Sequence, residues 1–495
     1  MTATVAMTTT TTMTTPILVD GFETVVGLEV HVQLATTHKL FSKARVRIGQ
    51  PPNTDLDAVD AGLPGALPVL NQQAVVFAAR LGLALGSTIA VTSFFARKHY
   101  FYPDSPKGFQ TSQGDEPILV GGSVSFVVDD VSGATLTVPL TRAHLEEDAG
   151  KSSHGTDGTR LDLNRAGTAL LEVVSEPTMR GGEEAMRFFR ALRSIVMALG
   201  ICDGNLQEGS MRADANVSVR RPGDPLGTRV ELKNINSPRY LNDAVEHEAA
   251  RQRRLISGGD VVVQETRLWD GEGGVSRSLR SKEMAPDYRF FTDPDLPVVV
   301  VSEALLARER AALPELPEAR RLRFITAFGL PAKQAAVIVD EPMLTSSFDA
   351  ACALAVGHER AVANWLVNDV SGLGDGVVVA AAALARLVVL VETGELAGRD
   401  GKAVLRALTD NDRATDSTWV DAYVDEHALR LATGQDAEAA IKAIVIAVFA
   451  DSPTQVQQVK EGKDKVKGYL VGQVLKRAGT GVDPKLAQRL VDEAL

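Results

Sequence analysis

The chain has 495 residues, 45% of them hydrophobic and 23% charged, with 63 Asp and Glu against 52 Lys and Arg for a net charge of -11. That length suits roughly two to four domains, and the acidic balance argues against broad nonspecific binding to nucleic acid, DNA included, because phosphate neutralisation needs clustered cations. Two cysteines in unrelated contexts, Cys202 and Cys352, exclude a disulfide-stapled secreted scaffold and point to a reducing, cytoplasmic setting.

Residues 1–20 are Thr-rich, carry no Lys or Arg and lack an apolar core, which predicts a disordered tail rather than a secretory signal or presequence. From residue 21 to about 312, short alternating or apolar runs are broken by Gly, Pro, Asn and Asp, the pattern of strands. The first run, Val26 to Leu34, places Glu29, His31 and Gln33 on one face and Leu28, Val30 and Val32 on the other, because side chains alternate along a strand. A solvated face over an apolar backing explains the same alternation.

Ser123 to Val128 and Ala134 to Val138 predict a hairpin turning at Ser132-Gly133. The acidic run His144-Leu-Glu-Glu147-Asp148-Ala-Gly-Lys151 follows. Gly150-Lys151-Ser152 has the ending of a phosphate-binding loop, but Leu145 stands where that loop needs glycine. Farther on, Glu172 interrupts an apolar strand. A carboxylate buried there is costly unless paired or bound to a cation, so a metal ligand, a catalytic acid and a structural ion pair all remain open. Carboxylates with one imidazole suit Mg²⁺ or Mn²⁺, whereas more nitrogen or sulfur in a closed shell would suggest zinc.

Gly182 to Leu199, opened by Glu183 and Glu184, and Asn242 to Ile256 predict helices. Strands and helices without strict alternation give an α+β domain over 21–312. Gly200-Ile-Cys202-Asp-Gly204 matches the elbow of cysteine glutaminases. It follows a helix instead of a strand, however, and lacks a downstream His-x-Glu partner; Lys151-Ser152-Ser153 likewise lacks the surroundings of a Ser-Ser-Lys amidase.

Beyond Leu313 to Pro317 helical periodicity takes over. A seam between Glu392 and Asp412 divides an all-α domain over 313–400 from an all-α tail over 401–495. Val377 to Val391 is too short to span a bilayer and contains Arg386, which predicts a buried helix and no membrane association. Between Lys460 and Arg489, eight basic residues face three acidic ones, which on charge alone reads as a solvated helix face.

Seven blocks resemble the B subunits of the aspartyl/glutamyl-tRNA amidotransferases, and the likeness runs from about Phe22 to the C-terminus. They are VVGLEVHVQL at Val25, RKHYFYPDSPKGFQTSQ at Arg97, HLEEDAGKS at His144, LDLNRAGTALLEVVSEP at Leu161, GSMRADANVSVR at Gly209, ELKNINS at Glu231 and GKDKVKGYLVGQVLK at Gly462. The resemblance implies a cradle-shaped catalytic domain related to the glutamine synthetase fold, then a helical domain and a helical tail that meets tRNA. It implies ATP-dependent phosphorylation of the side-chain carboxylate of a misacylated Glu-tRNA(Gln) or Asp-tRNA(Asn), then displacement of phosphate by ammonia. It further implies an Mg²⁺ site at His31, Glu147 and Glu172, with Glu29 adjacent, and a polar ammonia route or phosphate contact at Lys98 and Lys107. The basic stretch, with Lys463, Lys465, Lys467, Lys476 and Arg477, becomes a phosphate-contacting surface. The implied partners, completing a heterotrimer, are a separate amidase that makes ammonia and a small third protein that clasps the two larger ones. A tRNA-binding scaffold whose chemistry lies in its partners is the alternative. Ala169 and Pro238 depart from the family pattern, with only local backbone consequences expected.

Overall fold

The computed structural model describes residues 18–495 except 115, 130–132, 282–287, 375–376, 378, 411–415, 432–434, 461–465, 479–481 and 483. Most of the Thr-rich tail, Ser132 of the expected turn, Lys463 and Lys465 therefore lie outside the described residues. Two compact units divide the chain, Met1–Arg320 and Arg321–Leu495. The first is sheet-rich and α+β, the second helical. The first runs past the expected boundary at 312 because Leu313 and Leu316 pack against its core.

A 14-stranded sheet forms the first unit. Its strands include β1 (Phe22–Gln33), β2 (Ala96–His99), β3 (Phe109–Ser112), β4 (Thr135–Glu147), β5 (Ala169–Ser175), β6 (Met211–Arg220), β7 (Val230–Ile235), β8 (Glu265–Asp270), β9 (Val275–Ser281) and β10 (Phe291–Thr292). The main path runs β9-β8-β7-β6-β1-β5-β4-β3-β2-β10. The predicted hairpin is present: Ser123–Val127 pairs antiparallel with the start of β4, Val124 opposite Val138.

Four central antiparallel strands, β6, β1, β5 and β4, share one apolar face. Val30 lies opposite Ala213 on one side and Val173 on the other, Val32 opposite Leu171, and Leu171 opposite Leu145. All are buried in one core with residues of the helices α1 (Gln72–Leu85), α2 (Gly182–Ala198) and α3 (Pro238–Ser257). Directly paired residues point the same way, so burying these positions forces their sequence neighbours onto the other face.

Sequence reading does not anticipate α1, although its ends are marked. Asn71 caps it by accepting a hydrogen bond from Gln73 N, and Gly86 closes it in the left-handed conformation. Helix α3 begins four residues before the expected Asn242. Ser237 accepts from Tyr240 N and Pro238 takes the first helical position, where its missing N–H and fixed φ cost nothing. The departure at Pro238 thus makes a helix start.

The 35–70 segment is tied down by a buried ion pair. Lys39 Nζ lies 3.1 Å from Asp60 Oδ2, with side chains 0% and 2% exposed. Asp60 also accepts from Ser42 and from Asp57 N. Burial pushes the Lys39 ammonium down and the Asp60 carboxyl up, against their mutual attraction.

In the second unit, Ala381–Glu392 is the buried helix expected from Val377 to Val391, and Arg386 reaches out to Asp421 at 2.8 Å. The expected seam between Glu392 and Asp412 needs correction. Leu396, Val404, Leu405 and Leu408 share one core with Phe324, Leu387 and Val420. A separate core begins at Ile441 and includes Val474 and Leu490. Helix Gly398–Thr409 carries a strongly apolar stripe, and that stripe outweighs the polar residues around it. Among the described residues, no single helix is long and apolar enough to cross a membrane.

Asp60→Ala should strand the Lys39 charge without its partner and cost about 3–5 kcal/mol. The paired replacement Lys39→Met with Asp60→Leu should cost less. Denaturant unfolding of the two variants checks the order, and equal losses would show that the pair is not the tie.

Candidate functional site

The polar face of the four central strands is set by the same register. Glu172 lies directly opposite His31 on one side and His144 on the other. Arg212 lies opposite His31, and Asp214 opposite Glu29. The hydrophobic burial of one face thereby collects acids, imidazoles and an arginine on the other.

His31 Nε2 is 3.4 Å from Glu172 Oε2 and 3.5 Å from Glu146 Oε1. His144 Nε2 approaches the same two carboxylates at 3.7 and 3.6 Å. One donor atom from each of His31, Glu146 and Glu172 lies within 4.8 Å of the other two, the spacing of groups that share a cation. Burial pushes the Glu172 carboxyl up, but the His31 hydrogen bond and the His144 charge outweigh it and hold it at about 2. Burial pulls the His31 imidazole down, but the hydrogen bond to Glu172 prevails and raises it.

A second group, Glu29, Asp214 and Glu231, meets the same distance limit. Burial and the neighbouring Glu172, Glu231 and Asp214 carboxylates raise the Glu29 pKa, despite a hydrogen bond from Asn216. Lys233 neutralises part of this cluster, 2.5 Å from Asp214 and 2.9 Å from Glu231. The first group, with Asp214 and Lys233 from the second, borders an open cavity of about 570 Å³.

Of the expected ligands, the structure brings His31 and Glu172 together, with Glu29 nearby in the second group, and puts Glu146 where Glu147 was expected. Glu147 has the opposite parity. Its carboxylate accepts from Thr111 N at 2.8 Å and from Lys107 Nζ. The cause is a bulge in β4. Val174 pairs with Arg142 but Ser175 pairs with Leu140, so Thr141 is an extra residue and the alternation changes phase there. Upstream, Leu136, Val138 and Leu140 are buried; downstream, Ala143 and Leu145 are. A phase counted from the upstream residues would send Glu147 to the polar face.

Lys98 lines the cavity with its Nζ 4.9 Å from the Tyr288 ring, and Lys107 is held by Glu147. His144, Asp214, Glu231, Lys233, Arg212 and Asp148 join the site without having been singled out. The signal for several was plain alternation: Arg212, Asp214 and Asn216 share one face, as do Glu231 and Lys233. Cys202 is 4% exposed, and its thiol is pushed up to about 11 by burial, which makes it a poor nucleophile.

In the tail, Lys467 pairs with Asp492 at 2.7 Å and Arg477 with Asp451, while Lys476 is exposed. Arg489 meets Glu438 and Glu493. Acids outside the 460–489 stretch fold against it and offset part of its surplus charge.

Residues 24–307 match the family described as the GatB/GatE catalytic domain, and residues 347–495 match the GatB domain. The B subunit of the aspartyl/glutamyl-tRNA(Asn/Gln) amidotransferase of Thioalkalivibrio sulfidiphilus is 44% identical over 486 residues, covering 96% of this chain and 99% of its own. The protein of the same name from Bordetella pertussis is 45% identical over 491 residues, covering 96% and 100%. One from Burkholderia cenocepacia is 44% identical over 490 residues, covering 96% and 99%. With its sheet-rich and helical units both matched, this chain belongs to the family of aspartyl/glutamyl-tRNA(Asn/Gln) amidotransferase B subunits.

Proposed function

We propose that this chain activates the side-chain carboxylate of a misacylated Glu-tRNA(Gln) or Asp-tRNA(Asn) with ATP and then amidates it. The observation that carries the reading is the buried convergence of Glu146 and Glu172 on His31 Nε2 at 3.5 and 3.4 Å. Two carboxylates and an imidazole on a cavity wall fit a hard divalent cation such as Mg²⁺ better than a structural ion pair, which would supply a full-time positive charge. A cation held by His31, Glu146 and Glu172 would neutralise charge on the ATP phosphates. A polar sheet face backed by helices is also what a glutamine synthetase-like cradle would present.

The chemistry needs activation first, because a carboxylate would have to expel oxide. A carboxylate oxygen of the aminoacyl group attacks the γ-phosphorus, ADP leaves with the electrons of the broken P–O bond, and an acyl phosphate results. Neutral ammonia then attacks the acyl carbon, inorganic phosphate departs, and the surplus proton passes to phosphate or solvent. Lys98 and the Lys107–Glu147 pair flank the cavity along which ammonia would arrive. The buried, unreactive Cys202 thiol fits ammonia production in a partner amidase, with a small third protein completing the complex. Lys463, Lys465, Lys467, Lys476 and Arg477 are proposed to meet tRNA phosphates, with Lys467 and Arg477 exchanging Asp492 and Asp451 for the nucleic acid.

Glu146→Gln and Glu172→Gln should each lower ATP-dependent phosphorylation of misacylated tRNA at least about a hundredfold, the scale of several kcal/mol of lost charge stabilisation, while tRNA still binds. Chelation should stop the reaction in the complete complex and added Mg²⁺ restore it. If the complete complex turns over no ATP, the scaffold alternative stands instead.

Glu29 has its pKa raised above the ordinary carboxylate value of 4.5, so it takes up a proton at a higher pH than an ordinary carboxylate, and well before Glu172. Mn²⁺ affinity measured by calorimetry should therefore weaken on acidification from neutral pH as Glu29 takes up its proton. In Glu29→Gln that early loss should vanish, and an unchanged pH profile would remove Glu29 from cation binding.

A further inference from the structure

Arg212 sits on β6 between the two carboxylate groups. It lies directly opposite His31 and two residues before Asp214, on the same face. It feels the charges of both Glu146 and Asp214. An arginine so placed would ordinarily swing onto one of these acids and occupy it. Asp148 prevents this. Its Oδ1 and Oδ2 accept from Arg212 Nη2 and Nη1 at 3.0 and 3.1 Å.

Asp148 is itself fixed on every side. Its N–H donates to Thr168 O and its carbonyl accepts from Gly167 N, at 2.8 and 2.9 Å. Arg165 approaches Asp148 Oδ2 at 3.5 Å and donates to the carbonyls of Ala149 and Gly150. Burial pushes the Asp148 carboxyl up, but Arg212 and Arg165 outweigh it and keep it ionised. The Asp148 side chain is 5% exposed, whereas a third of the Arg212 side chain remains open, 33%, on the cavity wall. Two of the guanidinium's N–H groups are spent on Asp148, and among the described residues the others are left for a ligand.

We infer that Arg212 is a catalytic residue that grips the phosphoryl group in transfer, and that Asp148 is the positioning residue that holds its fork clear of Glu146 and Asp214. The ligand class is a phosphoryl group whose negative charge lies between the two carboxylate clusters. A planar guanidinium suits its equatorial oxygens in a way that an ammonium, a compact point charge, does not. This inference rests on the phosphoryl-transfer reading above.

The test uses the chain purified with its partner proteins, assaying ATP-dependent phosphorylation of misacylated tRNA. Arg212→Ala should lower kcat by about 10²–10³, the usual cost of one lost transition-state donor, with the KM for tRNA unchanged. Added guanidinium at low concentration should restore part of that loss, because the truncated side chain leaves a cationic vacancy beside Asp148. Arg212→Lys should stay well below the parent, and Asp148→Asn should lose about 10–100-fold without rescue by guanidinium. Arg220→Lys, at the far end of β6 and paired with Glu23, should match the parent. Near-parent thermal unfolding of each variant excludes loss of fold. If Arg212→Lys works as well as the parent, or if guanidinium rescues nothing, Arg212 does not grip the phosphoryl group. If the unmutated complex itself consumes no ATP, the phosphoryl-transfer reading fails first.

Discussion

The site depends on the burial of one face of four antiparallel strands. Leu28, Val30 and Val32 on β1 are almost wholly buried, as are Leu171 and Val173 on β5 and Ala213, Ala215 and Val217 on β6. Each of these Leu and Val side chains contributes about 1.5–3 kcal/mol when withdrawn from water, so a slip of one residue in any of these strands would forfeit several at once. Nothing in the polar cluster itself supplies a comparable force. Acids crowd one another there, and Glu29 is pushed toward protonation by burial and by its neighbours. The apolar face imposes the arrangement and the polar face bears it.

The charges are also ordered in layers. Nearest the shared point are Glu146, Glu172 and His31. Around them stand groups that hold the first set in place or keep other cations away: His144 between the two glutamates, and Asp148 on Arg212. Lys233 lies across the second acidic group. A protein selected for stability alone would gain by fewer buried charges, since each costs desolvation that pairing only partly returns. On the proposed phosphoryl-transfer reading, these charges are kept for the cation and phosphates they would meet.

Much of this was legible in the sequence. Alternation alone put Glu29 and His31 on one face, and Glu172 stood out as a charge inside an apolar run. The α+β-then-α order followed from the change of period near residue 313. What stayed hidden has physical causes. Choosing Glu146 over Glu147 requires knowing where β4 changes phase, and Thr141 looks like any other strand residue. The basic tail looked more positive than it is because Asp451, Glu438, Asp492 and Glu493 lie outside the counted stretch. Helix α1 was missed although Asn71 and Gly86 mark its ends, because its residues are apolar nearly all round and show little polar-apolar contrast.

The bulge at Thr141 has a consequence for how such a site can change over generations. Loops between the strands are free to lengthen or shorten, since they carry no phase. Within β4, removal of Thr141 would only join Leu140 to Arg142, which already pair with the adjacent Ser175 and Val174, so the downstream partners would be kept. A residue lost between Arg142 and His144 has no such spare to absorb it and would turn the downstream part over. If the downstream part turned, Leu145 and Glu147 would take the places of His144 and Glu146. Because two glutamates stand side by side, a carboxylate would still arrive, but the second imidazole would be gone. The doubled acid is thus insurance for charge and none for nitrogen.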